Sequence, residues 1–431
     1  METLALFGGT PVRTAPFSPW PYFDDKERAY LNAALESRNW GGYPFPSRLA
    51  AEFGARFAGI HGSRFGIACA NGSVTLEIAL QAIGIEAGDE VIVPAYTFMA
   101  TASCAVRCNA VPVFVDVEAR NYCMDPAAVE AAITPRTRAI IPVHLGASIA
   151  DMDRLLDIAR KHGLVVIEDC AHAHGGQWRG KGVGSMGDFG SFSLQSSKLL
   201  TSGEGGVLTM NDDLLRQKSM SLINCGRKEE GYDGFDGQLF GANYRMSELQ
   251  VAVALAQVER LEEVTAKRAA MHDIFRDMLH AEVQGVHVLD TDPRVTRKYA
   301  YQTILRYDPA AFQDVHRDRF LQALAAEGVR LSGRFYEPLY RIPIFNARSA
   351  QWPMLRARYA DGILDAPRVS CPVSEKAAYD EAIWMHYPHL SGTTKDLEDI
   401  VAAFVKVRKN VDRLRADPIG DATATGPDHA R

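Results

Sequence analysis

A single lysine, Lys198, lies between an apolar stretch and a glycine-rich turn. Residues 189–194 have the apolar, β-rich composition of a strand, and Gly203-Glu204-Gly205-Gly206 follows the lysine. Glycines let the backbone turn tightly and approach a ligand closely. An amine held in a dry pocket can form a Schiff base with a carbonyl compound, which is the chemistry this setting suits. A lone lysine in a loop is more often a solvated surface group, so the interpretation depends on other stretches.

Two further stretches favour a chemical role for the lysine. Residues 165–168 are predicted to form a buried strand that ends on the carboxylate of Asp169. Asn71-Gly72-Ser73 precedes a strong helical pattern, and free N–H groups at a helix start bind phosphate well. An acid for a pyridinium nitrogen, an anion site and a lysine are the three parts that a pyridoxal phosphate site needs. Taken singly, each has an ordinary structural explanation, such as a helix cap or a salt bridge.

Particular roles follow from the residue types. Asp169 would keep the pyridine nitrogen protonated, and Lys198 would hold the cofactor and later act as general base. His172 could hydrogen-bond the phenolic oxygen of the cofactor, although a lone histidine is more often structural. Phe98 could stack on the ring face, although an aromatic residue at this position is also an ordinary core residue.

The surrounding pattern predicts an α/β fold. Short β-branched runs alternate with amphipathic helices between about residues 65 and 210, which indicates a mostly parallel central sheet covered on both faces. Ligands in such sheets lie at the carboxyl ends of strands, where Asp169 and Asn71-Gly72-Ser73 are expected. The predicted divisions are an N-terminal arm at 1–22, a large cofactor-binding domain at 23–245, a connecting helical region at 246–279, a small C-terminal α+β domain at 280–412 and a disordered tail at 413–431.

Bulk properties exclude several classes of function. The chain has 431 residues and a net charge of −6 with interspersed acids and bases, so we expect neither nucleic-acid nor membrane partners. Seven scattered cysteines show no metal spacing and no disulfide pattern, which favours a reducing cytoplasm and no metal site. Neither a signal peptide nor an apolar run long enough to span a membrane is recognisable.

The motifs together resemble one known family. Residues 167–175 (IEDCAHAHG), Ser191-Phe192-Ser193 with Lys198, and the segments 94–98, 142–146 and 241–246 are similar, in order, to the DegT/DnrJ/EryC1/StrS sugar aminotransferases. The similarity covers most of residues 5–412. It implies a fold-type-I pyridoxal-phosphate enzyme and a homodimer with shared active sites.

The resemblance also implies residue roles. Lys198 matches the Schiff-base lysine, Asp169 the partner of the pyridinium nitrogen, His172 the residue near the phenolic oxygen and Phe98 the stacking aromatic residue. The positions that match the phosphate site are Gly72, Ser73, Ser193 and Asn243. In the family this asparagine reaches the phosphate from the neighbouring subunit, whereas the residues by themselves indicate only a turn at Asn243.

Finer features narrow the expected substrate. Gln195 replaces a histidine that many nucleotide-sugar members have, and the surrounding pattern is similar to scyllo-inosose and 2-deoxy-scyllo-inosose aminotransferases and to 3-amino-5-hydroxybenzoate synthases. Members of that branch commonly use L-glutamine as amino donor in aminoglycoside and ansamycin-type pathways. The candidate substrate contacts are Trp40, Gln195, Arg334, Tyr336 and His386.

The acceptor ketone stays open between a cyclitol and a sugar, because residues 39–44 differ from the segment found in either group. The alternatives are a 3-amino-5-hydroxybenzoate synthase-like enzyme, a keto-sugar-nucleotide aminotransferase and a non-catalytic protein that binds pyridoxal phosphate.

Overall fold

The fold was determined from a computed structural model that describes residues 2–41, 44–345 and 369–416. The helices are α1 Asp25–Ser37, α2 Arg48–His61, α3 Gly72–Ala82, α4 Ala100–Arg107, α5 Pro126–Ala132, α6 Met152–His162, α7 Asp213–Ile223, α8 Glu248–Glu282, α9 Arg317–Ala326, α10 Pro372–Lys376, α11 Thr394–Lys409 and α12 Val411–Ala416. The strands are β1 Phe65–Cys69, β2 Glu90–Pro94, β3 Val111–Val115, β4 Thr137–Ile140, β5 Val165–Asp169, β6 Gln177–Trp178, β7 Lys181–Gly182, β8 Phe189–Ser193, β9 Gly206–Met210, β10 Val286–Val288, β11 Val295–Arg297, β12 Thr303–Tyr307 and β13 Ala382–Met385.

A seven-stranded sheet forms the centre of the described residues, in the order β1-β9-β8-β5-β4-β2-β3. Strand β9 runs antiparallel to β1 and β8, and the remaining pairs are parallel. The inner strands are apolar on both faces, and all five residues of β2 are buried. A sheet with helices on both faces requires this composition, and the prediction of an α/β fold with a mostly parallel sheet agrees with the structure.

The carboxyl edge of this sheet collects the candidate site. Asp169 ends β5 and pairs with Ser191 of β8, which ends two residues later at Ser193. Helix α3 begins immediately after β1, and the Lys198 loop connects β8 to β9. Helix α4 begins at Ala100, so Phe98 lies in the loop before it, with half of its surface exposed.

A second, smaller unit follows the long helix α8, which has 35 residues and ends three residues later than predicted. Its antiparallel sheet, β10-β12-β13, packs with α9 and α11 around a separate apolar core. The predicted N-terminal arm contacts this unit, because Arg13 pairs with Asp396 at 2.7 Å and with Asp399 at 2.8 Å. The predicted domain boundaries remain a prediction.

Two sequence expectations need comment. The disordered tail was expected from residue 413, but residues 413–416 are helical and Leu414 is buried, so that boundary is wrong by four residues. A buried leucine in a helical turn explains the difference, since it packs on the core of the small unit. Residues 417–431, and Gly42 and Tyr43 of the turn that begins at Trp40, lie outside the described residues.

Candidate active site

Lys198 lies in the loop that joins β8 to β9. Its backbone N–H donates to the Gln195 carbonyl at 2.8 Å, and its Nζ lies 4.8 Å from the centre of the Tyr301 ring. Burial lowers the pKa of the Lys198 amine to about 8, and the nearby Asp169 carboxylate opposes that shift. A larger fraction of this amine is therefore neutral near pH 8 than for an exposed lysine, which suits a nucleophile and a proton acceptor.

Asp169 is buried at the end of β5, with both carboxylate oxygens in hydrogen bonds. The Thr101 hydroxyl donates to Oδ2 at 2.8 Å, and the Ala171 N–H donates to Oδ1 at 3.2 Å. Burial raises the pKa of Asp169, while these hydrogen bonds and the Lys198 charge act in the opposite direction. Sequence reasoning missed Thr101, because nothing distinguishes it from other threonines before the fold brings it to residue 169.

His172 is held as a neutral histidine of defined tautomer. The Gly146 N–H donates to its Nδ1 at 3.2 Å, so the ring proton resides on Nε2, which lies 3.4 Å from the Tyr336 hydroxyl. Burial lowers the pKa of His172 well below its ordinary value, and the Lys198 charge adds to the effect. An N–H donor directed into the site fits the predicted contact with a phenolic oxygen.

Gly72, Ser73 and Ser193, which were predicted to bind the phosphate, lie where α3 meets β8. The side chain of Asn71 caps the helix by accepting from the Ser73 and Val74 N–H groups at 3.1 and 3.0 Å. A Cβ on Gly72 would lie only 2.7 Å from the Ser193 Cβ, so glycine is required for this close approach. Gly72 and Ser193 therefore lie in contact, and Ser73 is exposed beside them.

Tyr336 and Phe98 belong to the same region. Their rings are 6.5 Å apart, and Tyr336 also lies parallel to His172 at 6.5 Å. The Phe98 ring is half exposed, and its stacking on a flat ligand remains a prediction.

Gln195, Arg334 and His386 have other partners. The Gln195 side chain accepts from the Ser197 N–H and hydroxyl at 2.9 and 2.7 Å, which stabilises the lysine loop. Arg334 lies 3.7 Å from Glu337, and a hydrogen bond of 2.9 Å joins His386 Nε2 to the hydroxyl of Ser332. Their roles in substrate binding remain predictions.

Asn243 and Trp40 lie on exposed surface. Asn243 accepts from the Arg245 N–H at 3.4 Å and pairs with Asn224 in an isolated bridge. The Trp40 indole donates to the Leu35 carbonyl at 3.3 Å, and 56% of the residue is exposed. No hydrogen bond within the described residues joins either of them to Lys198 or Asp169, and the roles predicted for both remain predictions.

A buried group of potential metal ligands lies beneath the site. One ligand atom each of His144, Glu168 and Cys170 lies within 4.8 Å of the others. Glu168 already accepts from three backbone N–H groups within residues 184–187 and from His144 Nε2 at 3.1 Å. Because its carboxylate is saturated by these donors, the group stabilises the turn between β7 and β8.

The arrangement fits pyridoxal phosphate. Lys198 offers an amine of lowered pKa, and Asp169 offers a buried carboxylate that Thr101 and Ala171 orient. Gly72 lets the start of α3 lie directly against Ser193, so the two segments predicted to bind the phosphate adjoin each other at a helix N-terminus. Tyr301 is the further contributor that sequence reasoning missed, because its ring lies against both Lys198 and His172.

Comparison with known proteins gives consistent results. The sequence profile of the DegT/DnrJ/EryC1/StrS aminotransferase family matches residues 21–405. A protein from Streptoalloteichus tenebrarius with the provisional name L-glutamine:3-amino-2,3-dideoxy-scyllo-inosose aminotransferase is 52% identical over 414 residues, which cover 96% of this chain and 99% of that protein. The L-glutamine:2-deoxy-scyllo-inosose aminotransferase of Micromonospora echinospora is 38% identical over 428 residues, which cover 96% and 100% of the two chains.

Solved structures agree on the fold. The crystal structure of 3-amino-5-hydroxybenzoic acid synthase is similar with a TM-score of 0.80 and 32% identity, covering 92% of this chain and 100% of that one. An aminotransferase from Psychrobacter cryohalolentis gives a TM-score of 0.78 and 30% identity with the same coverage. Within the described residues, no helix has the length and apolar composition needed to cross a membrane. The chain therefore belongs to the DegT/DnrJ/EryC1/StrS aminotransferase family and is a pyridoxal-phosphate-dependent aminotransferase.

Proposed function

We propose that this aminotransferase moves the amino group of L-glutamine to the ketone of an amino-substituted cyclitol, 3-amino-2,3-dideoxy-scyllo-inosose, in an aminoglycoside-type pathway. The observation that supports this choice is the 52% identity, over nearly the full length of both chains, to a relative that carries that provisional name. The relatives named for 2-deoxy-scyllo-inosose and scyllo-inosose are only 38% and 37% identical.

The side chains of the site have distinct tasks in this reaction. When bound, pyridoxal phosphate supplies an electron-withdrawing pyridine ring beside the carbon that loses a proton. Asp169, held by Thr101, keeps the ring nitrogen protonated. Lys198 accepts the proton from one carbon and returns it to another, which its lowered pKa permits. The Nε2 proton of His172 is available to the phenolic oxygen.

We also propose that the enzyme is a cytoplasmic homodimer whose sites are shared. The cysteines are all free, which agrees with a reducing compartment. Asn243 is exposed in one chain, and Phe240 beside it is fully exposed. A large apolar side chain left in solvent is typical of an interface.

Mixing two inactive variants tests the shared site. If Asn243 serves the partner's cofactor, Lys198→Ala and Asn243→Ala protomers, dissociated and reassociated together, regain about one quarter of wild-type activity, since half of the dimers have one intact site. Each variant reassociated with itself is the control. Full activity of the Asn243→Ala variant would show that this residue is not part of the active site.

Substrate identity is tested in two half-reactions. Addition of L-glutamine should convert the absorbance of the bound cofactor, with L-glutamate as the competing donor. The charged enzyme is then offered 3-amino-2,3-dideoxy-scyllo-inosose, 2-deoxy-scyllo-inosose, scyllo-inosose and a keto-sugar nucleotide, and aminated product is detected by mass spectrometry. The first acceptor should give the highest kcat/KM, and a clear preference for another acceptor would contradict the proposal.

Formation of 3-amino-5-hydroxybenzoate is the second candidate. The similarity to the solved synthase favours it as an alternative, although that similarity rests on 32% identity. Release of an aromatic product from an aminated shikimate-like precursor, detected by its ultraviolet absorbance, would establish it. A protein that binds the cofactor and reacts with none of these donors or acceptors would fit the non-catalytic alternative.

A further inference from the structure

A buried cation without a carboxylate partner lies behind the site. Arg268 of α8 is 2% exposed, and no ion pair joins it to a carboxylate within the described residues. Its guanidinium donates to the carbonyls of Ala300, Tyr301 and Tyr387 at 2.9, 3.0 and 2.9 Å and to the Ser391 hydroxyl at 2.7 Å. Burial of a charge is costly unless hydrogen bonds compensate it, so this arginine is committed to fixing those segments.

Among the residues that accept hydrogen bonds from Arg268, Tyr301 is held by contacts to its backbone, its hydroxyl and its ring. Arg268 holds its carbonyl, and its hydroxyl lies 2.8 Å from the hydroxyl of Ser197, which immediately precedes Lys198. Its ring lies parallel to that of Tyr387, with centres 6.1 Å apart. Arg268 therefore holds the backbone of Tyr301, Ser197 holds its hydroxyl and Tyr387 packs against its ring. These three contacts keep the Tyr301 side chain at the site.

The Tyr301 ring also lies close to two side chains of the candidate site, Lys198 and His172. The Lys198 Nζ lies 4.8 Å from its centre, and the His172 ring lies 4.5 Å from it. An ammonium within about 6 Å of an aromatic face is attracted to the ring, and more strongly where water is excluded. Tyr301 is 2% exposed, so water is largely excluded on that side.

We propose that Tyr301 is a positioning residue that holds the ammonium of Lys198 over its ring after the amine has accepted a proton and before it returns that proton, and that Arg268 fixes the ring in that place. The inference rests on the role proposed for Lys198. A protonated lysine that swings away must search for the carbon to which it returns the proton, whereas one held over Tyr301 stays within reach.

The pH dependence of Lys198 reactivity measures this contact directly. The titratable groups that interact with the amine are Asp169, His172 and His174, and Tyr301 itself. Burial lowers the pKa of His174 to about 3 and that of His172 well below its ordinary value, and it raises the pKa of Tyr301 to about 12. Compared with the two histidines and Tyr301, Lys198 is therefore the group that titrates between about pH 7 and pH 10.

Acetylation of Lys198 by acetic anhydride in cofactor-free protein, followed by mass spectrometry of its peptide, gives the apparent pKa without turnover. Tyr301→Leu should lower that pKa by roughly half a unit to one unit, since loss of the ring disfavours the ammonium. Tyr301→Phe retains the ring and should keep the wild-type profile. Lys161, which is 65% exposed, is the internal reference.

Two further variants keep the result decisive. Tyr301→Met replaces Tyr301→Leu if the latter fails to fold, because methionine fills irregular spaces. Arg268→Lys keeps the charge but cannot reach all four acceptors, and it should give a smaller shift in the same direction. An unchanged or raised pKa of Lys198 in the variants without a ring would overturn the proposal. If Tyr301 only fills space, its removal admits water, and water raises the pKa of a buried amine. If Lys198 in Arg268→Lys protein has the same pH profile of acetylation as in wild type, Arg268 has no part in the proposed positioning.

Discussion

At the scale of single residues, the pKa values of Lys198 and Asp169 are shifted in opposite directions, toward the neutral form of each group. Burial lowers the pKa of the amine and raises that of the carboxylate, while each charge stabilises the other. Lys198→Ala should abolish transamination and the visible absorbance of a lysine-linked cofactor. Lys161→Ala is the matched control, because Lys161 is exposed and its ion pair is with Glu130 on the surface. Full activity of Lys198→Ala would refute the assigned role.

Asp169→Asn tests the carboxylate separately. The amide is nearly isosteric and keeps the partner of Thr101, so the protein should fold, but it cannot hold a proton on the ring nitrogen by charge. We expect kcat to fall roughly 10²- to 10³-fold, the size found when one preorganised electrostatic contact is removed. The measurement is kcat alongside Tm for wild type and variant. An unchanged kcat would exclude Asp169 as the partner of the ring nitrogen.

At the scale of elements, the junction of α3 with β8 decides the phosphate site. In Gly72→Ala the new Cβ would meet the Ser193 backbone and Cβ at 2.9 and 2.7 Å, so the helix start must move away. We expect a loss of about 1–3 kcal/mol in the free energy of unfolding and weaker cofactor binding. Gly59→Ala on α2 is the control, because nothing lies within 4 Å of its Cβ, and a gain of about 0.5 to 1 kcal/mol is expected. Denaturant unfolding and cofactor titration of both variants check the prediction, which equal effects of the two substitutions would contradict.

At the scale of the whole molecule, several histidines are buried in neutral form, among them His172 of the site. Burial lowers the pKa of His61 and His389 to about 4 and that of His174 to about 3, from 6.5. Because the folded-state values lie below the unfolded one, their contribution is full above about pH 6.5 and is lost as pH falls toward 4. Each adds about 1.4 kcal/mol per pH unit to the slope of the unfolding free energy in that window.

His174→Phe should flatten that slope by about 1.4 kcal/mol per pH unit, the share of one histidine. Neither nitrogen of His174 has a hydrogen-bond partner in the described structure, and its ring packs against Phe57 and Phe192. Phenylalanine should therefore be accepted at pH 7. Denaturant unfolding between pH 7 and pH 4.5 gives the slope, with the exposed His287→Gln as control. A slope equal to that of wild type would show that acid sensitivity arises elsewhere.

The sequence by itself determined the features that depend on local patterns. The alternation of β-branched runs with amphipathic helices indicated the α/β sheet, and the strand-end position of Asp169 and the cap before α3 placed them at its carboxyl edge. Lys198 was identifiable because a strand and a glycine-rich turn border it.

Only the tertiary structure decided which distant residues complete the site. Thr101 reaches Asp169 across 68 positions of sequence, and Tyr301 reaches Ser197 across 104. The antiparallel direction of β9 likewise follows from its pairing with β1 and β8. Such contacts have no local pattern, because burial and long-range packing create them and any threonine or tyrosine looks alike before the chain folds.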